Sequence, residues 1–295
     1  EEAGVHSGDS ACAIPPFSIS EPVLEELRKA TIKLAKSLHV VGLMNIQFAI
    51  KTEDDVPTVY ILEANPRASR TVPFVAKATG VPVANLATKV MTGKTLAELG
   101  IQQEPIPKHV SIKESVFPFR KFAGVDIVLG PEMRSTGEVM GISDNFPLAF
   151  AKSQLAAGVT LPTTGKIFVS LSSRHKDSAV DLGRDLRDLG FEILATSGTA
   201  ARLEAAGVSV TRIKKLAEGQ PNLIDYLKNE DVALIMNTPN GKGARTDEGR
   251  IRAAAVQQGV PCITTVAAAE AAVRAMRAIR DDVMAVQSLQ ERYAE

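Results

Sequence analysis

The chain has 295 residues, 45% of them hydrophobic, enough to bury a sizeable core and to form about two domains. Its 34 Lys and Arg balance 34 Asp and Glu, so no net basic field points to nucleic acid, and a 4% aromatic content without Trp supplies no base-stacking platform. Cys12 and Cys262 cannot make a disulfide framework and fit a reducing compartment, and no apolar run is long enough to span a bilayer, so the expectation is a cytoplasmic protein that meets small anions through local positive groups.

From Glu21 to Leu38, apolar residues at Val23, Leu24, Leu27, Ile32, Leu34 and Leu38 follow Ser20 as N-cap and Pro22 near the start, which predicts an amphipathic helix. Gly42 to Ile50 and Tyr60 to Asn65 read as two strands joined by an exposed polar connection, Lys51 to Pro57. Strand residues two apart share a face, so Asn45 aligns with Gln47 and Glu63 with Asn65, and pairing the strands as a hairpin brings Gln47 beside Glu63. Pro66 stops the ladder just before Arg67 and Arg70. Oxygen-only ligands of this kind suit Mg²⁺ or Mn²⁺, which keep waters and bridge phosphates. The plain alternative is a strand end before a Pro turn, with the arginines in surface ion pairs.

Two short helices ended by glycine follow, Pro73 to Thr79 with Gly80 and Pro82 to Met91 with Gly93. Ser111 to Phe117 reads as a strand, Pro118 to Gly130 as a surface crossing, Asn145 to Ala157 as a helix, and Pro162 to Gly165 as a linker. Beyond Lys166, strands and helices alternate: Ile167–Leu171, Phe191–Thr196, Val208–Ile213, Val232–Asn237 and Cys262–Thr265 are β-rich, each followed by a helix except the third, which is followed by a loop. The fold class is therefore α/β, with a Rossmann-like parallel sheet in the second part. Ligands in such sheets bind beyond the carboxyl ends of the strands, where Thr196-Ser-Gly-Thr199, Lys214-Lys215, Asn237 to Lys242 and Thr264-Thr265 collect. Thr196 to Thr199 opens a helix whose N–H groups suit a phosphate; a capping turn is the structural alternative.

The stretches Gly42-Leu-Met-Asn-Ile-Gln-Phe, Glu63-Ala-Asn-Pro-Arg-Ala-Ser-Arg-Thr-Val-Pro-Phe, Gly4-Val-His-Ser-Gly-Asp-Ser-Ala and Gly130-Pro-Glu-Met-Arg-Ser-Thr-Gly-Glu-Val-Met-Gly141 resemble the second ATP-grasp domain of carbamoyl-phosphate synthase large chains. The resemblance runs essentially end to end. It implies that residues 1–118 are the C-terminal part of that ATP-grasp domain, 119–165 a connecting segment, and 166–295 a methylglyoxal-synthase-like (MGS-like) allosteric domain. Glu1 in place of Met, and the lack of a glycine-rich phosphate loop before Gly42, imply a piece of a longer polypeptide whose other ATP-grasp lobe lies upstream.

In that family this half phosphorylates carbamate with ATP to give carbamoyl phosphate for arginine and pyrimidine biosynthesis, after the preceding half has made carbamate. The resemblance implies Mg²⁺ or Mn²⁺, with K⁺, held through Gln47, Glu63 and Asn65. It assigns ATP contact to Gly4, Val5, His6 and Ser7, together with Gln47 and Glu63, and charge stabilisation on the transferring phosphoryl group to Arg67 and Arg70. It also implies a glutaminase small subunit, the rest of the large chain and further copies of itself as partners. A nucleotide effector, UMP or IMP, would be held by Lys176, Thr196, Thr199, Lys215, Asn237 and Thr238. Methylglyoxal synthases need an acidic base that the Asn237-Thr-Pro-Asn loop lacks, so binding is expected there rather than catalysis. Glu1, Asp9, Glu114 and Thr264 match an acidic ornithine pocket; Cys262 stands where ornithine-responsive members often carry Tyr, and Ala217 where a His is common. A reading of another class is a regulatory nucleotide-binding module with an inert ATP-grasp remnant.

Overall fold

The computed structural model describes residues 4–101, 103–122, 124–172, 175–239 and 246–294. Its contacts form two compact units, one of Cys12–Lys113, Ile142–Phe146 and Ala285–Glu295, the other of Glu1–Ala11, Glu114–Gly141 and Pro147–Met284. Apart from 142–146, the expected connecting segment 119–165 belongs to the second of these.

In the smaller unit, β1 (Cys12–Ile14) is followed by α1 (Glu21–Ser37), the hairpin β2 (Asn45–Glu53) and β3 (Val56–Asn65), α2 (Thr71–Thr79), α3 (Val83–Met91) and β4 (Val110–Val116). The last strand returns to pair antiparallel with β1, Cys12 opposite Lys113 and Ile14 opposite Ser111. Ser20 takes the extended N-cap conformation and Pro22 occupies the first turn of α1, as the periodicity predicts. Gly80 ends α2 with φ +73°, the left-handed cap that glycine adopts without strain.

The hairpin departs from expectation at its tip. Lys51 to Pro57 is mostly ladder, with Glu53 opposite Val56, and only Asp54 and Asp55 turn the chain. Both have positive φ, 48° and 61°, the signs of a type I′ turn, whose twist matches paired strands. Asp-Asp is a weaker turn signal than the usual Asn-Gly, and the polar side chains around it read as loop. A second feature lies near the other end: Gln47 opposes Glu63 but Phe48 opposes Ile61, so Leu62 is an extra, bulged residue. Ile46, Phe48 and Ile50 then share one face with Ala64, Ile61 and Val59, while Asn45, Gln47, Glu63 and Asn65 share the other.

In the larger unit lies most of β5 (Gly137–Ser143). The sequence pattern did not reveal this strand, because glycines interrupt it and its apolar residues do not alternate. At Gly141 a Cβ atom would stand 2.1 Å from the Ala149 carbonyl oxygen and 2.4 Å from the Ser153 nitrogen of α4 (Phe146–Ala156). Helix backbone and strand backbone are thus in direct contact there.

The parallel sheet comprises β6 (Lys166–Ser170), β7 (Glu192–Thr196), β8 (Thr211–Ile213), β9 (Leu234–Asn237) and β10 (Cys262–Ile263), in the order β10-β9-β6-β7-β8. Its helices are α5 (Lys176–Asp188), α6 (Ser197–Ala205), α7 (Leu223–Lys228), α8 (Asp247–Gln258) and α9 (Val266–Asp281). The five expected parallel strands are present. The loop expected after the third contains a 3-10 turn, Leu216–Glu218, and the short α7. Phe168, Leu194 and Ile235 align across one face and join Ile213, Leu223, Leu227 and Ile251 in a buried cluster. Ile167, Ile193 and Leu234 align on the opposite face and are equally buried, so neither face meets water. A final helix, α10 (Leu289–Ala294), belongs to the smaller unit; its Tyr293 hydroxyl donates to the Lys77 carbonyl and its ring lies over Gly80.

Replacing Gly141 by Ala drives a Cβ into backbone that no rotamer change can relieve. The expected cost is about 3 kcal/mol or more, read as a lower urea midpoint.

Candidate functional site

In the parallel sheet the winding reverses between β6 and β9, and a crevice opens beyond their carboxyl ends. A cavity of about 520 Å³ occupies it, lined by Ser170 and Leu171 after β6, Thr196, Gly198 and Thr199 where β7 meets α6, and Lys214 and Lys215 after β8. Asn237 at the end of β9 and Thr246, Asp247 and Glu248 opening α8 complete the wall. Among the described residues no side chain caps the first amides of α6, which leaves donors there for ligand oxygens. The Lys214 ammonium donates to the Gln220 carbonyl at 2.6 Å, whereas Lys215 is exposed and forms no ion pair among the described residues. The wall thus carries lysines after β8 and two acids at the start of α8.

Of the residues expected here, Thr196, Thr199, Lys215 and Asn237 come together. Thr238 is buried and not part of the lining; its hydroxyl accepts from the Ser172 N–H at 2.7 Å and supports the loop after β6. Lys176 opens α5, and its side chain lies outside the described residues, as do Asn240, Gly241 and Lys242. Sequence reasoning missed Asp247 and Glu248; the signal was Thr246, whose hydroxyl caps α8 by accepting from the Gly249 N–H at 3.0 Å.

A second cavity of about 550 Å³ in the same unit is lined by Glu114, Phe117, Gln154, Cys262, Thr264 and Thr265, among others. Gln154 donates to the Glu114 carboxylate at 2.6 Å. Burial pushes the Cys262 thiol up to about 12, with Arg252 opposing and Asp126 reinforcing the shift. Asp9 is not in this lining: its carboxylate is buried and accepts from the N–H groups of Arg134 at 2.8 Å and Ser135 at 2.9 Å. Glu1 lies outside the described residues.

The N-terminal motif is folded onto the same stretch. The His6 N–H donates to the Gly130 carbonyl, and its Nδ1 accepts from the Gly8 N–H, both near 3 Å, closing a 3-10 turn over Ser7–Asp9. The Ser115 and Ser135 hydroxyls both donate to the Gly8 carbonyl. Gly4 takes φ +96°, open to glycine, just before Val5.

In the smaller unit, Gln47 stands directly opposite Glu63, and Asn45 opposite Asn65. Directly opposed side chains lie about 5 Å apart at Cβ, so one face of the hairpin gathers a carboxylate and three amides. No group of three or more His, Cys, Asp or Glu able to hold a metal occurs among the described residues. A single carboxylate with amide oxygens fits a hard divalent ion that completes its shell with water and phosphate oxygens. Arg67 is exposed, its Nη1 donating to the Ala68 carbonyl, and Arg70 is the N-cap residue of α2.

Comparison with known proteins places this geometry. Residues 2–99 match the carbamoyl-phosphate synthase L chain, ATP binding domain, and residues 178–264 match the MGS-like domain. Over all 295 residues the chain is 76% identical to the carbamoyl phosphate synthase large chain of Rhodopirellula baltica, covering 27% of that protein. It is 54% identical to the large chain of Nostoc over 99% of this chain and 26% of that one, and 53% identical to that of Archaeoglobus fulgidus over 100% and 27%. Over its whole length the chain is similar to carbamoyl phosphate synthase large chains. It spans about a quarter of the length of these curated relatives. The part matching the large-chain ATP binding domain carries the oxygen face of the hairpin, and most of the cavity at the strand ends lies within the MGS-like match. Among the described residues, no helix is long and apolar enough to cross a membrane.

Burial alone raises the Asp9 carboxyl, but the hydrogen bonds from Ser135 and Arg134 outweigh it and hold the group below the usual carboxylate value. A depressed folded value contributes stability that is present above the unfolded pKa, near 4, and is lost as pH falls through the folded value. Urea midpoints should therefore fall on acidification below about pH 4, and Asp9→Asn should be less stable at neutral pH with a shallower acid dependence.

Proposed function

We propose that the chain supplies the carbamate-phosphorylating part and the allosteric domain of a glutamine-hydrolysing carbamoyl phosphate synthase large subunit, working with the rest of that subunit and a glutaminase partner. The cavity at the strand-order reversal carries this reading. An uncapped helix N-terminus and Lys215 suit a phosphate, and Asp247 and Glu248 suit ribose hydroxyls, two parts of a nucleoside monophosphate such as UMP or IMP. Because those acids open α8 rather than lying on the Asn237 loop, they favour recognition over proton abstraction.

The hairpin supports the other half of the reading. Gln47, Glu63 and Asn65 would hold Mg²⁺ or Mn²⁺, which neutralises phosphate charge when bound. Arg67 and Arg70 lie just past the strand end, suited to charge on the transferring phosphoryl group, and Gly4 to Ser7 offer backbone and hydroxyl contacts to ATP. Phosphoryl transfer needs positioning and charge stabilisation rather than covalent help, which fits a site without a nucleophile. The second cavity, with Glu114 and Thr264 in its wall, suits a small diamine such as ornithine. The full subunit then makes carbamoyl phosphate for arginine and pyrimidine synthesis in the cytoplasm.

Calorimetry with UMP and IMP, with and without ornithine, tests the allosteric reading: micromolar binding that Lys215→Ala abolishes is expected, and absence of binding to the unaltered chain overturns it. In the full-length large chain with its partner, Glu63→Gln should abolish ADP and carbamoyl phosphate formation while the circular dichroism spectrum is unchanged. Undiminished turnover removes Glu63 from the metal site.

A further inference from the structure

Arg252 is wholly buried on α8, and no role assigned so far uses it. A guanidinium removed from water must place its N–H groups on acceptors. Its Nε and Nη2 donate to the two carboxylate oxygens of Asp126 at 2.7 and 2.8 Å, and its Nη1 donates to the side chain of Asn237 at 3.1 Å. Guanidinium carries donors and no acceptor, so the Asn237 atom that faces it is the amide oxygen. The amide nitrogen consequently points away, with one hydrogen on the Ser170 carbonyl at 3.3 Å. Asn237 lines the cavity at the strand ends. With its oxygen taken by Arg252, it presents a hydrogen-bond donor to a ligand there.

Asp126 is itself fixed. Its carboxylate accepts from the Val128 N–H at 3.2 Å, and its carbonyl accepts from the Arg134 guanidinium at 2.8 Å. The orientation of one amide in the cavity wall is therefore set from a surface segment outside the cavity.

We propose that Arg252, held by Asp126, is a positioning residue of the nucleotide pocket: it locks Asn237 as a donor, so that this part of the wall selects the proton-free oxygens of a phosphate. The proposal rests on the reading of the cavity as a nucleoside monophosphate site.

The test is calorimetric titration of the chain with UMP. Replacing the ion pair by apolar groups, Arg252→Met with Asp126→Leu, strands no buried charge and is compatible with a folded domain. UMP affinity is expected to fall about tenfold, the effect of one well-formed hydrogen bond. Asn237→Ala should give a similar loss, and adding the paired substitutions to it should give no further loss. A merely structural role for the pair would instead add its full effect in the Asn237→Ala background. Should thermal melts show the paired variant unfolded, Arg252→Lys decides, because an ammonium keeps the charge beside Asp126 but lacks the fork that spans Asp126 and Asn237; at least fivefold weaker UMP binding is then expected. Undiminished affinity in the folded variant, or full additivity with Asn237→Ala, overturns the proposal while leaving the pocket reading intact. Failure of UMP to bind the unaltered chain overturns the pocket reading and the proposal together.

Discussion

The larger unit depends on the buried pair of Arg252 and Asp126. Removing one member leaves the other charged and out of water, a cost of about 3–5 kcal/mol, a large fraction of what holds a domain together. The pair is not an efficient source of stability, since apolar groups of the same volume do as well or better. Its effect is geometric. It ties a segment with little regular structure, residues 124–130, to a helix of the parallel sheet, and polar contacts extend from both ends of it. On one side Asp126 accepts from Arg134, whose backbone N–H is held by Asp9 in the turn that His6 closes. On the other, Arg252 holds Asn237. The N-terminal motif and the cavity wall are thus joined by four consecutive polar contacts within a single unit.

The placement of the cavity follows from sheet order. A five-stranded parallel sheet buried on both faces leaves its ligand-accessible backbone at the strand ends, and the reversal between β6 and β9 separates two loops that would otherwise close over each other. Helices α6 and α8 both begin there, so two helix N-termini border one crevice. At α6 the donors are uncapped. At α8 the Thr246 hydroxyl and two acidic residues already satisfy or balance them, which steers an anion toward α6. A chain with no net charge thereby brings both signs of charge to one pocket wall through local arrangement alone.

Much of this was legible in the sequence because periodicity and turn chemistry are local. The five parallel strands, the long amphipathic α1 and the opposition of Gln47 to Glu63 all follow from alternation, caps and a hairpin pairing. What escaped depends on distant partners. In α8 Arg250 is exposed and Arg252 is wholly buried, two residues apart in an unremarkable Asp-Glu-Gly-Arg-Ile-Arg run; the difference lies in a carboxylate 126 positions earlier. Gly141 likewise reads as a strand breaker, yet it is required because α4 lies against it. Asp9 looked like one of several acids available to a ligand, and only the fold shows its oxygens held by two backbone amides.

The hairpin poses a different problem, since a two-stranded ribbon has little packing of its own to fix it. Tyr60, Ile61 and Leu62 are each about half exposed, and α1 packs against β3. Under those conditions register must come from the strands themselves, because a slip of one residue would turn Ile46 and Phe48 onto the face that carries Glu63. Two local devices prevent it. The two-residue turn at Asp54–Asp55 fixes one end, and the bulge at Leu62 absorbs a residue, so that Ile61 falls opposite Phe48 rather than beside Glu63. Without the bulge, the apolar run Tyr60-Ile61-Leu62 would place Ile61 on the oxygen-bearing face. The same short stretch therefore keeps apolar and polar faces separate and lines up the oxygen-bearing side chains through which we propose that a hard cation is held.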